Sequence, residues 1–199
     1  MKALIISIRP EHALDILKGD KKLELRKSVP KGFVGWVYGY VSKRKPYLYN
    51  FAGLDYGKSD KLIEQQLHYL LNGTIPFRFW FDEYKTLEYR KKNKVLMWDN
   101  NYYYYTEEDN TYRNVQWILD ELRLEHQQVL DYGKGKDLYA WHIKKLEVFD
   151  KPMELEEFQN YMPKSNDIPE ALITSSWQIL HQPLTKAPQS YQYVWVKGE

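Results

Sequence analysis

Hydrophobic and polar positions alternate along this chain in a way that favours strands over helices. Ala3–Ile8 reads Ala-Leu-Ile-Ile-Ser-Ile, a nearly unbroken apolar run that predicts a strand buried on both faces. Pro10–Lys18 predicts a short helix. Pro10 suits its first position, Ala13, Leu14 and Leu17 make an apolar stripe, and Gly19 stops it. Leu23 and Leu25 then alternate with Lys22, Glu24 and Arg26, the mark of a half-buried strand with its charges on the open face. Phe33–Val41 is a longer strand, where Gly35 and Gly39 point to bulges or close backbone approach.

Asp60–Leu71 carries a helical stripe that stops at Asn72-Gly73. Phe77, Phe79 and Phe81 define a strand, and Thr86–Arg90 and Val95–Trp98 are weaker ones. Val115, Ile118, Leu119 and Leu122 lie on one face of a helix, and a second helix runs to Tyr132 and stops at Gly133. Leu138–Val148 reads as one strand ended by Asp150-Lys151-Pro152. Leu155–Tyr161 reads as a short helix, Pro163–Pro169 as a loop, and Gln189–Val196 as the last strand. Strands dominate, so an α+β domain is expected: a mostly antiparallel β-barrel decorated with helices. The 199 residues fit one domain, 1–199, with an inserted subregion at about 47–113 that contains the tetrad Tyr102–Tyr105.

Composition narrows the function. Lys and Arg (29) nearly balance Asp and Glu (27), for a net charge of +2, so any nucleic-acid contact must use a local patch. With no cysteine, disulfides, thiolate metal sites and a Cys nucleophile are excluded. The five histidines show no metal-ligand spacing, so neither a metal nor another cofactor is expected. No apolar run approaches the roughly 20 residues that span a bilayer. The expectation is a cytoplasmic monomer without a membrane partner.

The densest functional side chains fall in Gly19–Lys27. Lys21 becomes a base or nucleophile only if burial or a neighbouring cation depresses its pKa. Arg26 offers a planar fork for a phosphate or base edge, and Glu24 an acceptor for an exocyclic amine. Arg9 and Lys22 add cations, Tyr38 a stacking ring, and Gln189 and Ser190 hydrogen-bonding groups.

The motif Gly19-x-Lys21-x-x-Glu24-x-Arg26 resembles that of the ASCH domain family of the PUA-like superfamily. The flanking Ile6-Ser7-Ile8-Arg9-Pro10-Glu11, Tyr139-Ala140-Trp141-His142-Ile143, Phe149-Asp150-Lys151-Pro152 and Pro188-Gln189-Ser190-Tyr191 extend the resemblance toward small bacterial and phage-associated members. It implies a PUA-like barrel with a cleft beside the motif strand, and RNA or a modified nucleoside as ligand. One branch of the superfamily resembles a 4-acetylcytidine amidohydrolase with a Lys, a Thr and a Glu. Lys21 matches that lysine, while Glu24 stands where the threonine would be. A binding module is therefore the first expectation. An amidohydrolase or ribonuclease, with Lys21 as base or nucleophile and Glu24 as proton shuttle, is the second. A protein partner docking on the 47–113 insertion is the third.

Overall fold

The computed structural model describes residues 1–50, 69–90, 95–98, 116–161 and 182–196. In chain order its elements are β1 (Lys2–Ile8), α1 (Pro10–Leu17), β2 (Leu23–Arg26), β3 (Gly35–Val41), β4 (Tyr49–Asn50), β5 (Tyr69–Leu70), β6 (Ile75–Phe81), β7 (Tyr84–Arg90), β8 (Val95–Trp98), α2 (Gln116–Leu122), α3 (His126–Gly133), β9 (Leu138–His142), β10 (Lys144–Met153), β11 (Phe158–Asn160) and β12 (Tyr191–Val196). The tetrad Tyr102–Tyr105 and the loop Pro163–Pro169 lie outside the described residues, as does most of the helix expected over Asp60–Leu71. The described end of that segment, Tyr69–Leu70, is a strand paired with β4.

The strands form an α+β arrangement whose sheets stay open. One sheet runs β10-β6-β3-β1-β12-β11, a second β2-β9-β7-β8, and a third pairs β4 with β5. The expected closed barrel is therefore not what the described strands build. The break comes at Ile143, where the predicted strand Leu138–Val148 divides. The Ile143 amide donates to the Lys22 carbonyl, and Lys145 takes a positive φ of 46°. Residues before this point join the four-stranded sheet and those after it the six-stranded one. Pro152 does not end β10, because β10 is an edge strand and an edge tolerates a missing donor. Leu155–Tyr161 is a single 3-10 turn followed by β11 rather than a helix. Its start is held by reciprocal hydrogen bonds between Glu154 and Glu157.

By its contacts the chain divides into two compact units. The first comprises Met1–Leu14, Trp36–Arg78 and Glu147–Glu199. Here β1 is an interior strand, parallel to β3 and antiparallel to β12. An interior strand covered on both faces needs apolar residues in succession, and Ala3, Leu4, Ile5 and Ile6 are wholly buried. Ala3, Ile5, Tyr38, Tyr40, Ile75, Phe158 and Val194 share its core. Gly39 sits beside Phe77 with no room for a side chain, as its place in the sequence implied.

The second unit comprises Asp15–Gly35 and Phe79–Leu146. Its sheet is antiparallel throughout the described pairs, with β9 flanked by β2 and β7. Ile118, Leu119 and Leu122 of α2 and Val129 of α3 pack on Leu23, Leu25, Leu87, Leu138 and Ala140. The predicted inward leucines of β2 are thus in the core. The left-handed residue that ends α3 is Lys134, one position past the expected Gly133. Gly133 instead lies against Leu138, where a Cβ would come within 3.2 Å.

Candidate functional site

The turn between α1 and β2 turns Lys21 inward. Gly19 adopts φ 74° and returns its amide to Ile16, and the amides of Asp20 and Lys21 both donate to the Asp15 carbonyl. Next along the chain, the Lys22 amide donates to the carbonyl of Glu121 at 2.8 Å. Lys21 Nζ donates to the carbonyl of Leu122 at 2.5 Å. A helix leaves its last four carbonyls without intrahelical donors. In α2 all four are taken: Leu119 by the Leu124 amide, Asp120 by the Arg123 amide, Glu121 by Lys22 and Leu122 by Lys21. The entry to β2 therefore closes the end of α2.

Glu24 joins Lys21 to Arg26. Its carboxylate lies 3.7 Å from Lys21 Nζ and 3.2 Å from Arg26 Nε. The three side chains are only 1%, 7% and 7% exposed, so the charged face of β2 is as buried as its leucine face. The expectation of an open charged face is corrected here. Across the strand pair, Glu24 stands opposite Trp141 and Arg26 opposite Tyr139. Trp141 is wholly buried against Phe81 and donates from Nε1 to the Ser28 carbonyl. One carboxylate thus stands between an amine and a guanidinium. Burial pulls the Lys21 pKa down and Arg26 adds to the effect, while Glu24 and Asp15 oppose it.

The other residues singled out from the sequence are placed as follows. Lys22 is exposed and contributes its main chain to α2. Arg9, Tyr38, Gln189 and Ser190 belong to the first unit. Arg9 and Gln189 are exposed and Ser190 is half-buried, next to Pro188, whose carbonyl accepts from Ser7 at 2.6 Å. Tyr38 is wholly buried, edge-on to Phe158, and its hydroxyl accepts from Arg78. The Arg78 guanidinium lies 4.2 Å from the Trp36 ring and binds Glu147 at 2.7 Å.

A second group in the second unit was not visible in linear spacing. Asp82 and Glu83 follow β6, and His142 ends β9. The His142 amide donates to the Glu83 carbonyl, which brings the three side chains together. His142 Nδ1 lies 3.5 Å from Asp82 Oδ1 and 3.4 Å from Glu83 Oε1. Lys144 binds the other Asp82 oxygen at 2.6 Å. That hydrogen bond, with His142 nearby, holds the Asp82 carboxyl below the usual carboxylate range. Asp82 and Glu83 also border a groove of about 350 Å³ walled by Pro30, Phe33, Val34, Phe81 and Tyr84. Only the register of β9 against β2 and β7 could have revealed this grouping.

No protein-family model matches the sequence, and no curated protein matches it. Solved structures do. A mutant ZmASCH protein from Zymomonas mobilis superposes with a TM-score of 0.50 at 14% identity, over 100% of this chain and 92% of that one. A second ZmASCH mutant gives 0.50 at 14% identity, over 98% and 89%. At that identity the likeness is one of fold. The chain has the fold of the ASCH proteins.

Proposed function

We propose that this protein binds an anionic ligand of the RNA or modified-nucleotide class beside β2, with Lys22 at the surface and the buried Lys21, Glu24 and Arg26 next to it. The observation that carries the reading is the grouping of Lys21, Glu24 and Arg26, with one carboxylate between an amine and a guanidinium. An amine and a guanidinium brought together suit a phosphate. Arg26 has the planar fork that suits such a group, with Glu24 fixing its orientation. Lys22 supplies an exposed cation beside it. The ASCH fold supports the reading, since that superfamily is associated with RNA and modified-base recognition.

The test is binding of fluorescent single-stranded RNA and of a nucleotide panel, for wild type and Arg26→Gln. Arg26→Gln should weaken binding about tenfold or more, as loss of a charge-assisted contact does. Binding of the wild type should also fall steeply with salt. Wild-type affinity in a folded Arg26→Gln variant sinks the proposal.

The depressed pKa of Lys21 favours a second reading as an enzyme. A lowered pKa makes an amine more available as a base or nucleophile, and Glu24, 3.7 Å away, is the neighbouring carboxylate that would shuttle its proton. Under this reading 4-acetylcytidine yields cytidine, or RNA is cleaved, and Lys21→Met abolishes the turnover. Chromatography of either reaction at high protein concentration decides it.

A further inference from the structure

From the geometry around His142 we infer that Asp82, Glu83 and His142 form a binding site for a divalent transition-metal ion, with Zn²⁺ as its best match. The spacing is the first argument. A hydrogen bond between an imidazole nitrogen and a carboxylate closes at about 2.7–3.2 Å. His142 Nδ1 stands off at 3.5 Å from Asp82 and 3.4 Å from Glu83. Donors about 2.0–2.2 Å from a tetrahedral ion are separated by roughly 3.3–3.6 Å, so these gaps match two edges of a zinc tetrahedron. The three ligand atoms all lie within 4.8 Å of one another.

The second argument is the state of the facing atoms. Asp82 Oδ1 and His142 Nδ1 are shut off from solvent within half-exposed side chains, and they face each other at 3.5 Å without closing a hydrogen bond. Unsatisfied polar atoms in such positions are costly, and a shared cation satisfies both at once. Lys144 holds Asp82 by its other oxygen, so Oδ1 is left turned toward His142. That is the supporting contact that metal-bound carboxylates commonly have. With one lysine against two carboxylates, the group has a net negative charge ready for a cation. One imidazole and two carboxylates suit Zn²⁺ and related borderline ions better than Mg²⁺, which prefers oxygen and bound water. His142 ligates through Nδ1 as the neutral imidazole, its proton on Nε2. The inference does not depend on the nucleic-acid reading.

The experiment titrates the full chain, stripped with chelator, with Co²⁺ and follows the visible absorption of tetrahedral cobalt. Zn²⁺ is then added in competition. The expected result is one Co²⁺ per chain with tetrahedral bands, displaced by Zn²⁺. Glu83→Gln and His142→Asn should each weaken binding at least tenfold. Glu83 is largely exposed, so Glu83→Gln tests the site without a risk to folding. Absence of tetrahedral bands overturns the inference. So does binding that survives both substitutions, which would put the ion elsewhere on the chain.

Discussion

Lys21 and Leu122 meet through a side-chain ammonium and a main-chain carbonyl, 2.5 Å apart. One link thus joins the turn after α1 to the last carbonyl of α2. The adjacent Lys22 amide binds the carbonyl of Glu121, so the turn acts as a two-pronged cap. Replacing Lys21 with Met keeps most of the apolar stem but removes the donor. The Leu122 carbonyl is then buried without a partner, at a cost of about 1–3 kcal/mol. Urea unfolding of Lys21→Met should show a lower midpoint with an unchanged slope.

The same lysine sets a pH dependence. Its folded pKa lies below the model-peptide value of 10.5, so the buried charge is a penalty. Below the folded pKa both states hold the proton and the penalty is fully present. Between the folded pKa and 10.5 the unfolded chain keeps the proton that the folded one has released, so stability rises with pH. Wild type should gain on Lys21→Met as pH is raised from neutral toward that value. A stability difference that stays flat over this range contradicts the burial of a charged amine.

Glu24 lies within ion-pair distance of both Lys21 and Arg26. Glu24→Gln leaves two buried cations facing each other and should cost about 3–5 kcal/mol. Adding Arg26→Gln removes one of them. The double variant should therefore be less destabilised than the sum of the two single ones, with a coupling of about 0.5–3 kcal/mol. Thermal or urea unfolding of the four proteins measures it, and strict additivity would show the pair to be idle.

How far the sequence could be read depended on what each pattern can encode. The apolar run of β1 and the leucines of β2 report burial directly, and both were legible. The other face of β2 was not, because alternation with Lys22, Glu24 and Arg26 reads as solvent exposure. The surroundings come from distant residues: Trp141 and Tyr139 stand opposite Glu24 and Arg26 across the strand pair, and Lys21 reaches Leu122 at the end of a helix. The turn at Ile143 escaped for a similar reason. The stretch around Tyr139, Trp141 and Ile143 alternates without a break, and the division comes from the hydrogen bond that Ile143 gives to Lys22. Grouping Asp82, Glu83 and His142 likewise needed the register of β9.

Gly39 supplies a prediction whose sign is diagnostic. In an ordinary strand position, Gly→Ala gains about 0.5–1 kcal/mol, because alanine loses less backbone freedom on folding. Gly39 pairs with Ile6 in the interior of the six-stranded sheet, and its φ does not demand glycine. Yet an added Cβ would lie 2.4 Å from two atoms of the Phe77 ring. Phe77 is itself wholly buried and has little room to swing away. Gly39→Ala should therefore destabilise by about 1–3 kcal/mol through overpacking. The partner identifies the cause. Phe77→Leu costs stability alone by leaving a void, but it vacates the space that the new methyl needs. In the double variant the two defects offset each other, and the cycle should show a favourable coupling. Urea unfolding of the four proteins reads this directly. A Gly39→Ala variant as stable as wild type would show that Phe77 does not press on that strand.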